Sequence, residues 1–182
     1  SGEAPDFFVQ DLKFKKKTIK IYYINHHVSH ASSFFFSGFN DSAILTLDAF
    51  GEKQSGGFYI GKNNEINKVD SLYFPHSLGS FYSTFTEICG FKPQSDEWKL
   101  MGASAYGIKS NNIYYKKIKN LVDLYKNGKF ELNLKYFNHY MFHRPNFFNK
   151  KLLTHLNIKK NNKPNLSQQY YNLSFAAQKV FE

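Results

Sequence analysis

A chain of 182 residues with 42% hydrophobic residues can bury the core of one ordinary domain and leaves no room for a second of full size. Its formal charge of +10 suits phosphate-bearing partners without specifying one. The basic residues show no arginine stripe, RRM-like aromatic signature or zinc-finger spacing, so a dedicated nucleic-acid module is not expected.

Other classes fall away on composition. The single Cys89 excludes an internal disulfide framework and a cysteine-based zinc site, and reads as a buried apolar residue. No apolar run approaches the roughly 20 residues that cross a bilayer, and residues 1–17 are too polar for a signal peptide. No membrane partner and a cytoplasmic location are therefore expected. With 20 Phe and 13 Tyr, apolar burial relies on large rings.

In chain order, Ser1-Gly2 reads as the scar of a cleaved tag, and residues 1–17 as an extension without a clear period. β-Branched and aromatic residues then predict a strand over 18–24. Asn25 offers the N-cap of a helix over 26–36, which Gly38 closes. The nearly continuous apolar run 42–48 predicts a strand covered on both faces and ending at Asp48. Segments 57–61 and 66–73 predict a hairpin turning at Asn63-Asn64.

A second helix is expected over 75–89, with Leu78, Phe81, Tyr82, Phe85 and Ile88 forming its buried stripe and Gly90 as its stop. Further helices are expected over 96–107, with Gly107 at the end, and over 112–126. Residues 137–165 read as irregular up to Pro164, before a last helix over 166–181. That helix reaches Glu182 without a cap, which suggests truncation. Strand, helix, a group of strands, then helices predicts an α/β or α+β fold.

The chemistry concentrates in His26-His27-Val28-Ser29-His30. Imidazoles at i and i+4 on a helix can grip one ion, although such pairs also arise by chance and satisfy buried carbonyls. Asp48 strengthens the case, because a carboxylate at a buried strand end needs a cation or donors, and imidazole with carboxylate oxygen suits Fe, Mn or Zn. The competing reading makes Asp48 a turn starter before Ala49-Phe50-Gly51. Adjacent helix residues point about 100° apart, so His27 is assigned to packing behind the site.

Four ordered blocks carry a resemblance: His26 to Ala31, the strand into Asp48-Ala49-Phe50-Gly51-Glu52, Pro75 to Ser83, and Asp96-Glu97-Trp98-Lys99-Leu100-Met101-Gly102. Together they resemble the O-carbamoyltransferases of nodulation-factor and antibiotic biosynthesis. The resemblance covers most of 18–107, and Ala176 to Glu182 looks like the helix that precedes that family's second lobe. It implies that 18–182 is a partial N-terminal domain of actin-like, Hsp70-like (ribonuclease H-like) fold, related to the threonylcarbamoyl tRNA enzymes.

The resemblance further implies transfer of a carbamoyl group from carbamoyl-adenylate to an acceptor hydroxyl. The adenylate is made from carbamoyl phosphate and ATP by a separate domain that lies outside this chain. Residue by residue, it implies that His26, His30 and Asp48 hold a divalent metal, expected to be Fe(II), with a further aspartate from the absent second lobe. Asp48 is also the candidate catalytic group that orients the acceptor.

Gly79, Lys99 and Gly102 are the candidate nucleotide-binding positions. Each keeps a plainer alternative, a turn or tight helix contact for the glycines and an ion pair with Asp96 or Glu97 for Lys99. Ala49, Trp98, Ser104 and Ala105 depart from the family's pattern. The sequence leaves two other readings open, a tRNA threonylcarbamoyl-type enzyme and a non-catalytic module of the same fold.

Overall fold

Three two-residue loops organise the N-terminal half. In the computed structural model, which describes residues 5–162 and 166–182, Lys15-Lys16, Glu52-Lys53 and Asn63-Asn64 each reverse the chain between directly paired strands. Lys15, Glu52 and Asn63 take left-handed φ values of 55°, 50° and 53°, the backbone twist that tight hairpins require. Ser1-Gly2 and Pro164 lie outside the described residues.

The chain divides into two compact units, Ser1–Phe74 and Pro75–Glu182. The first opens with β1 (Phe7–Phe14) and β2 (Lys17–Ile24), an antiparallel pair in register from Phe7↔Ile24 to Phe14↔Lys17. β1 occupies part of the stretch in which the sequence shows no period. Cross-strand rings hold it: Phe8 stacks on its partner Tyr23 at 4.3 Å between centroids, and Phe7 on Tyr22 at 6.2 Å. Such pairing joins residues some fifteen positions apart and leaves no alternation within either strand.

Next come α1 (His26–Ala31) and a 3-10 turn, Ser32–Phe36. The helix expected over 26–36 is thus split. Ser32 Oγ donates to Ser29 O and Ser37 Oγ to Phe34 O, side-chain bonds that compete with continuation of the α-helix. Phe34 is buried at this turn, whereas Phe36 is exposed.

β3 (Asp41–Gly51), β4 (Gln54–Lys62) and β5 (Glu65–Tyr73) form an antiparallel meander in the order β3-β4-β5. The Asn63-Asn64 turn lies where the sequence predicts it. β3 differs from expectation in two respects. It is not covered on both faces, since Leu45 and Leu47 are exposed, and it does not stop at Asp48. Its register shifts between Leu47↔Gly56 and Gly51↔Gln54, so Asp48 sits in a β-bulge. The 3-10 turn packs closely on β4, where a Cβ at Gly61 would press into the Phe34 ring.

The second unit is mainly helical. α2 (Leu78–Ile88) starts at Ser77, whose side chain accepts from Ser80 N–H at 3.0 Å, and closes at Gly90 with φ +87°. Phe81, Phe85, Ile88 and Cys89 are fully buried along it. Thr84 and Thr86 hydroxyls donate to Ser80 O and Tyr82 O within the helix, which lets polar side chains share that core.

α3 (Glu97–Ser104) ends three residues before the expected Gly107. Gly107 instead lies against α6 (Gln168–Phe181), where an added Cβ would meet Tyr171 O at 2.6 Å. α4 (Ile113–Lys119) is half the length expected for a helix over 112–126, because Val122–Leu124 (β6) leaves it to pair with Phe130–Leu132 (β7). α5 (Lys150–Leu156) lies inside the stretch predicted to be irregular. Asn149 caps its start on Lys151 N–H, Asn157 ends it with φ 55°, and Leu152 and Leu156 turn inward.

The described residues therefore form a mixed α+β structure with small antiparallel sheets. Among them no helix is long and apolar enough to cross a membrane.

Candidate metal centre

The sequence turns two short elements toward each other. Asn25 Oδ1 accepts from His27 N–H at 3.0 Å and Val28 N–H at 3.3 Å, which fixes the first turn of α1. Asn25 N–H in turn donates to Asp6 O at 2.9 Å and ties that cap to the chain ahead of β1. With the turn set, the i, i+4 spacing places His26 and His30 on one face. The bulge in β3 presents Asp48 to the same face.

There the three side chains converge. His26 Nε2 lies 2.7 Å from Asp48 Oδ2, His30 Nε2 lies 3.3 Å from the same oxygen, and the two Nε2 atoms are 3.0 Å apart. Side-chain exposures of 37%, 52% and 38% for His26, His30 and Asp48 leave the cluster open to solvent. Asp48 Oδ1 accepts from Ala49 N–H at 2.7 Å, which orients the carboxylate with Oδ2 toward the imidazoles. Burial by itself would raise the Asp48 carboxyl, but the bonds from His26, Ala49 N–H and His30 together outweigh it and hold the group below its ordinary value.

These distances fit a cation. Three lone-pair atoms so close repel one another unless protons or a metal lie among them, and ligands bound to one ion at about 2.1 Å stand roughly 3 Å apart. All three ligand atoms lie within 4.8 Å of one another. Neutral imidazole with carboxylate oxygen suits Fe, Mn or Zn. Of the sequence candidates, the structure brings together His26, His30 and Asp48.

His27 sits behind this face, fully buried, with Nδ1 3.1 Å from Thr46 Oγ1. Burial lowers its pKa, countered in part by a backbone bond with Gln54, so it is neutral at pH 7. The remaining candidates belong to the second unit. Gly79 lies in the first turn of α2. Lys99 Nζ pairs with Asp96 Oδ1 at 3.0 Å and stands 5.3 Å from the Trp98 ring centroid. Gly102 is exposed on α3, and a Cβ there would meet nothing within 4 Å.

Three residues around the candidate cluster are not singled out by the sequence. Thr46 meets His27, Gly51 packs against the His26 ring, and Glu52 Oε2 accepts from His26 N–H at 3.4 Å. Gly51 and Glu52 carry one visible signal, position, since they stand three and four residues after Asp48 within a recognisable block. Cys89 is buried as expected, and burial pushes its thiol up to about 12, far from nucleophilic character.

The His26, His30 and Asp48 cluster lies within a sequence of defined family. The model of the carbamoyltransferase N-terminus matches residues 6–177, and the chain belongs to that family. An uncharacterised protein of Synechocystis sp. is 43% identical over 115 residues, 63% of this chain and 18% of that protein. The Nodulation protein NolNO of Sinorhizobium fredii is 37% identical over 89 residues, 48% of this chain and 13% of its own length. The Nodulation protein NolO of Bradyrhizobium diazoefficiens is 36% identical over 85 residues, 46% and 15% respectively. The chain thus spans less than a fifth of each of these curated relatives.

Proposed function

We propose that this chain is the metal-bearing part of an O-carbamoyltransferase that moves a carbamoyl group from carbamoyl-adenylate to an acceptor hydroxyl. The observation that carries the proposal is the convergence of His26, His30 and Asp48 at 2.7–3.3 Å, in a chain of the carbamoyltransferase N-terminus family. The specific fold we assign is part of an actin-like, ribonuclease H-like domain.

In this reading His26 Nε2, His30 Nε2 and Asp48 Oδ2 hold a divalent ion, Fe(II) by preference, and a further ligand comes from outside the chain. Bound there, the ion supplies Lewis-acid polarisation of a carbonyl or neutralises phosphate charge. The protein's own part is orientation. Ala49 N–H anchors one Asp48 oxygen, so the other keeps a fixed direction. Neutral His27, buried behind the face, supports α1 without adding charge. A hydroxyl acceptor hydrogen-bonded to Asp48 would be oriented for attack, in competition with the ligand role of that carboxylate.

Gly79, Lys99 and Gly102 are assigned to nucleotide binding, where Lys99 would exchange its bond to Asp96 for a phosphate. Carbamoyl phosphate, ATP and a hydroxyl compound are the substrates of the whole enzyme in this proposal, with a second lobe and an adenylate-forming domain as its further parts.

The test is elemental analysis with iron and manganese titration of wild type beside His26→Ala and His30→Ala. Wild type should bind about one ion, and each variant should lose it while keeping its circular dichroism spectrum. Equal binding by all three folded proteins would remove the proposal.

A further inference from the structure

We infer that Gly51 and Glu52, at the β3–β4 turn, are positioning residues that set His26 for metal binding. The inference rests on the metal reading above and adds residues to which that reading gives no role.

The argument begins with space. A Cβ at residue 51 would stand 2.5 Å from His26 Cβ and nearer still to the ring's Cγ and Cδ2. Those atoms are the root of the imidazole, not a flexible tip, so the side chain cannot yield by bending its far end. Turning about its first torsion clears the ring atoms but leaves Cβ in place, so α1 and the turn must also move apart. Either movement withdraws Nε2 from its 2.7 Å approach to Asp48 Oδ2 and its 3.0 Å approach to His30 Nε2. Buried Gly51 is thus a wall against which the ring rests.

The next residue fixes the other end of His26. Glu52, in the left-handed conformation with φ 50°, lets Oε2 accept from His26 N–H at 3.4 Å. That N–H is an orphan donor of the first helical turn, and Asn25 Oδ1 serves those of His27 and Val28. Backbone and ring of one ligand residue are therefore both set by consecutive residues of one turn. Asp48, three residues earlier on the same strand, supplies the third ligand. The β3 bulge and turn hence place two of the three ligands, one by bearing it and one by holding it.

The experiment compares Gly51→Ala, Glu52→Ala and Glu52→Gln with wild type in the full chain, reading metal affinity by titration and imidazole signals by nitrogen-proton NMR of metal-free protein. Gly61→Ala, which crowds Phe34 in the same unit, is the control for crowding alone. Gly51→Ala should weaken metal binding at least tenfold and shift the His26 ring signals, while those of His27 hold. Glu52→Ala should weaken binding several-fold, and Glu52→Gln, whose amide oxygen still accepts, should stay within twofold of wild type. Gly61→Ala should lower the melting temperature and leave affinity within threefold.

A metal-binding wild type whose Gly51→Ala variant binds within twofold overturns the inference, as does a Gly61→Ala loss equal to that of Gly51→Ala. Where Gly51→Ala fails to fold, the Glu52 pair decides, and Glu52→Ala matching wild type overturns it. A wild type that binds no metal defeats the metal reading instead. Unshifted His26 ring signals in metal-free Gly51→Ala then overturn the positioning as well, and shifted ones sustain it.

Discussion

Two half-buried histidines show how this chain uses imidazole for structure. His139 Nε2–H donates to Pro75 O at 2.7 Å, and His76 Nδ1 accepts from Leu132 N–H at 2.9 Å, so both brace the approach to α2. Burial lowers the pKa of His139, and nearby His76 lowers it further against the opposing bond to Pro75. A depressed folded-state pKa means that the neutral ring contributes stability fully above the unfolded value near 6.5. That contribution is lost as pH falls from there through the folded pKa. Unfolding free energy should therefore drop as pH falls below about 6.5, and His139→Gln should flatten that slope in urea titrations. An unchanged slope would refute the assignment.

His27 makes a second prediction at the same scale. Its Nδ1 has Thr46 Oγ1 as neighbour in a fully buried setting, and Thr46→Val keeps the shape while removing the hydroxyl. A buried polar atom left unpaired costs about 1–3 kcal/mol. Thr46→Val should be destabilised by that amount in denaturant melts, with His26, His30 and Asp48 still able to bind metal. A neutral substitution would show that the pair carries no weight.

At the scale of elements, capping decides how short helices exist at all. α1 and α5 have six and seven residues, too few for intrinsic propensity to sustain them. Asn25 serves two amides of α1, and Asn149 serves one of α5. Asn149→Ala should cost about 1 kcal/mol, read as a fall in the urea midpoint, and Asn149→Asp should restore most of it. Equal midpoints for all three would show that tertiary packing alone holds α5.

The same elements mark what could be read in the sequence. Long periodic stripes were legible: α2 and α6 appear close to expectation, because Phe81, Phe85 and Ile88 repeat at helical spacing. The i, i+4 histidines were legible for the same reason, as was Asp48 at the end of an apolar run. Features that depend on distant partners were not. β1 is held by rings of β2, the Asp48 bulge is a property of the β3–β4 register, and β6 replaces the end of an expected helix by pairing with β7. α5 is not legible although Asn149, Leu152 and Leu156 form its cap and stripe, since a seven-residue helix among Asn, His and Phe gives few turns to recognise.

At the scale of the whole molecule, charge is divided unevenly. Before Pro75 lie 8 basic and 8 acidic residues, and from Pro75 onward 16 and 6, so the entire formal charge of +10 belongs to the second unit. The lysines of α4 and α5 are solvated side chains without an arginine fork, and such a unit attracts any polyphosphate by releasing its counterions. This concentration is the one feature that favours the tRNA-modifying alternative, and salt separates it from the carbamoyltransferase proposal. Binding by diffuse lysine charge should be alike for tRNA and duplex DNA of equal length. It should also weaken by orders of magnitude between about 50 and 200 mM salt. A tRNA site would keep part of its affinity through base and 2′-hydroxyl contacts, which salt screens little. Filter binding with both nucleic acids across that range should give steep, parallel losses. A tRNA affinity that persists at 200 mM and exceeds that for DNA would shift the assignment from a hydroxyl acceptor of small size to RNA.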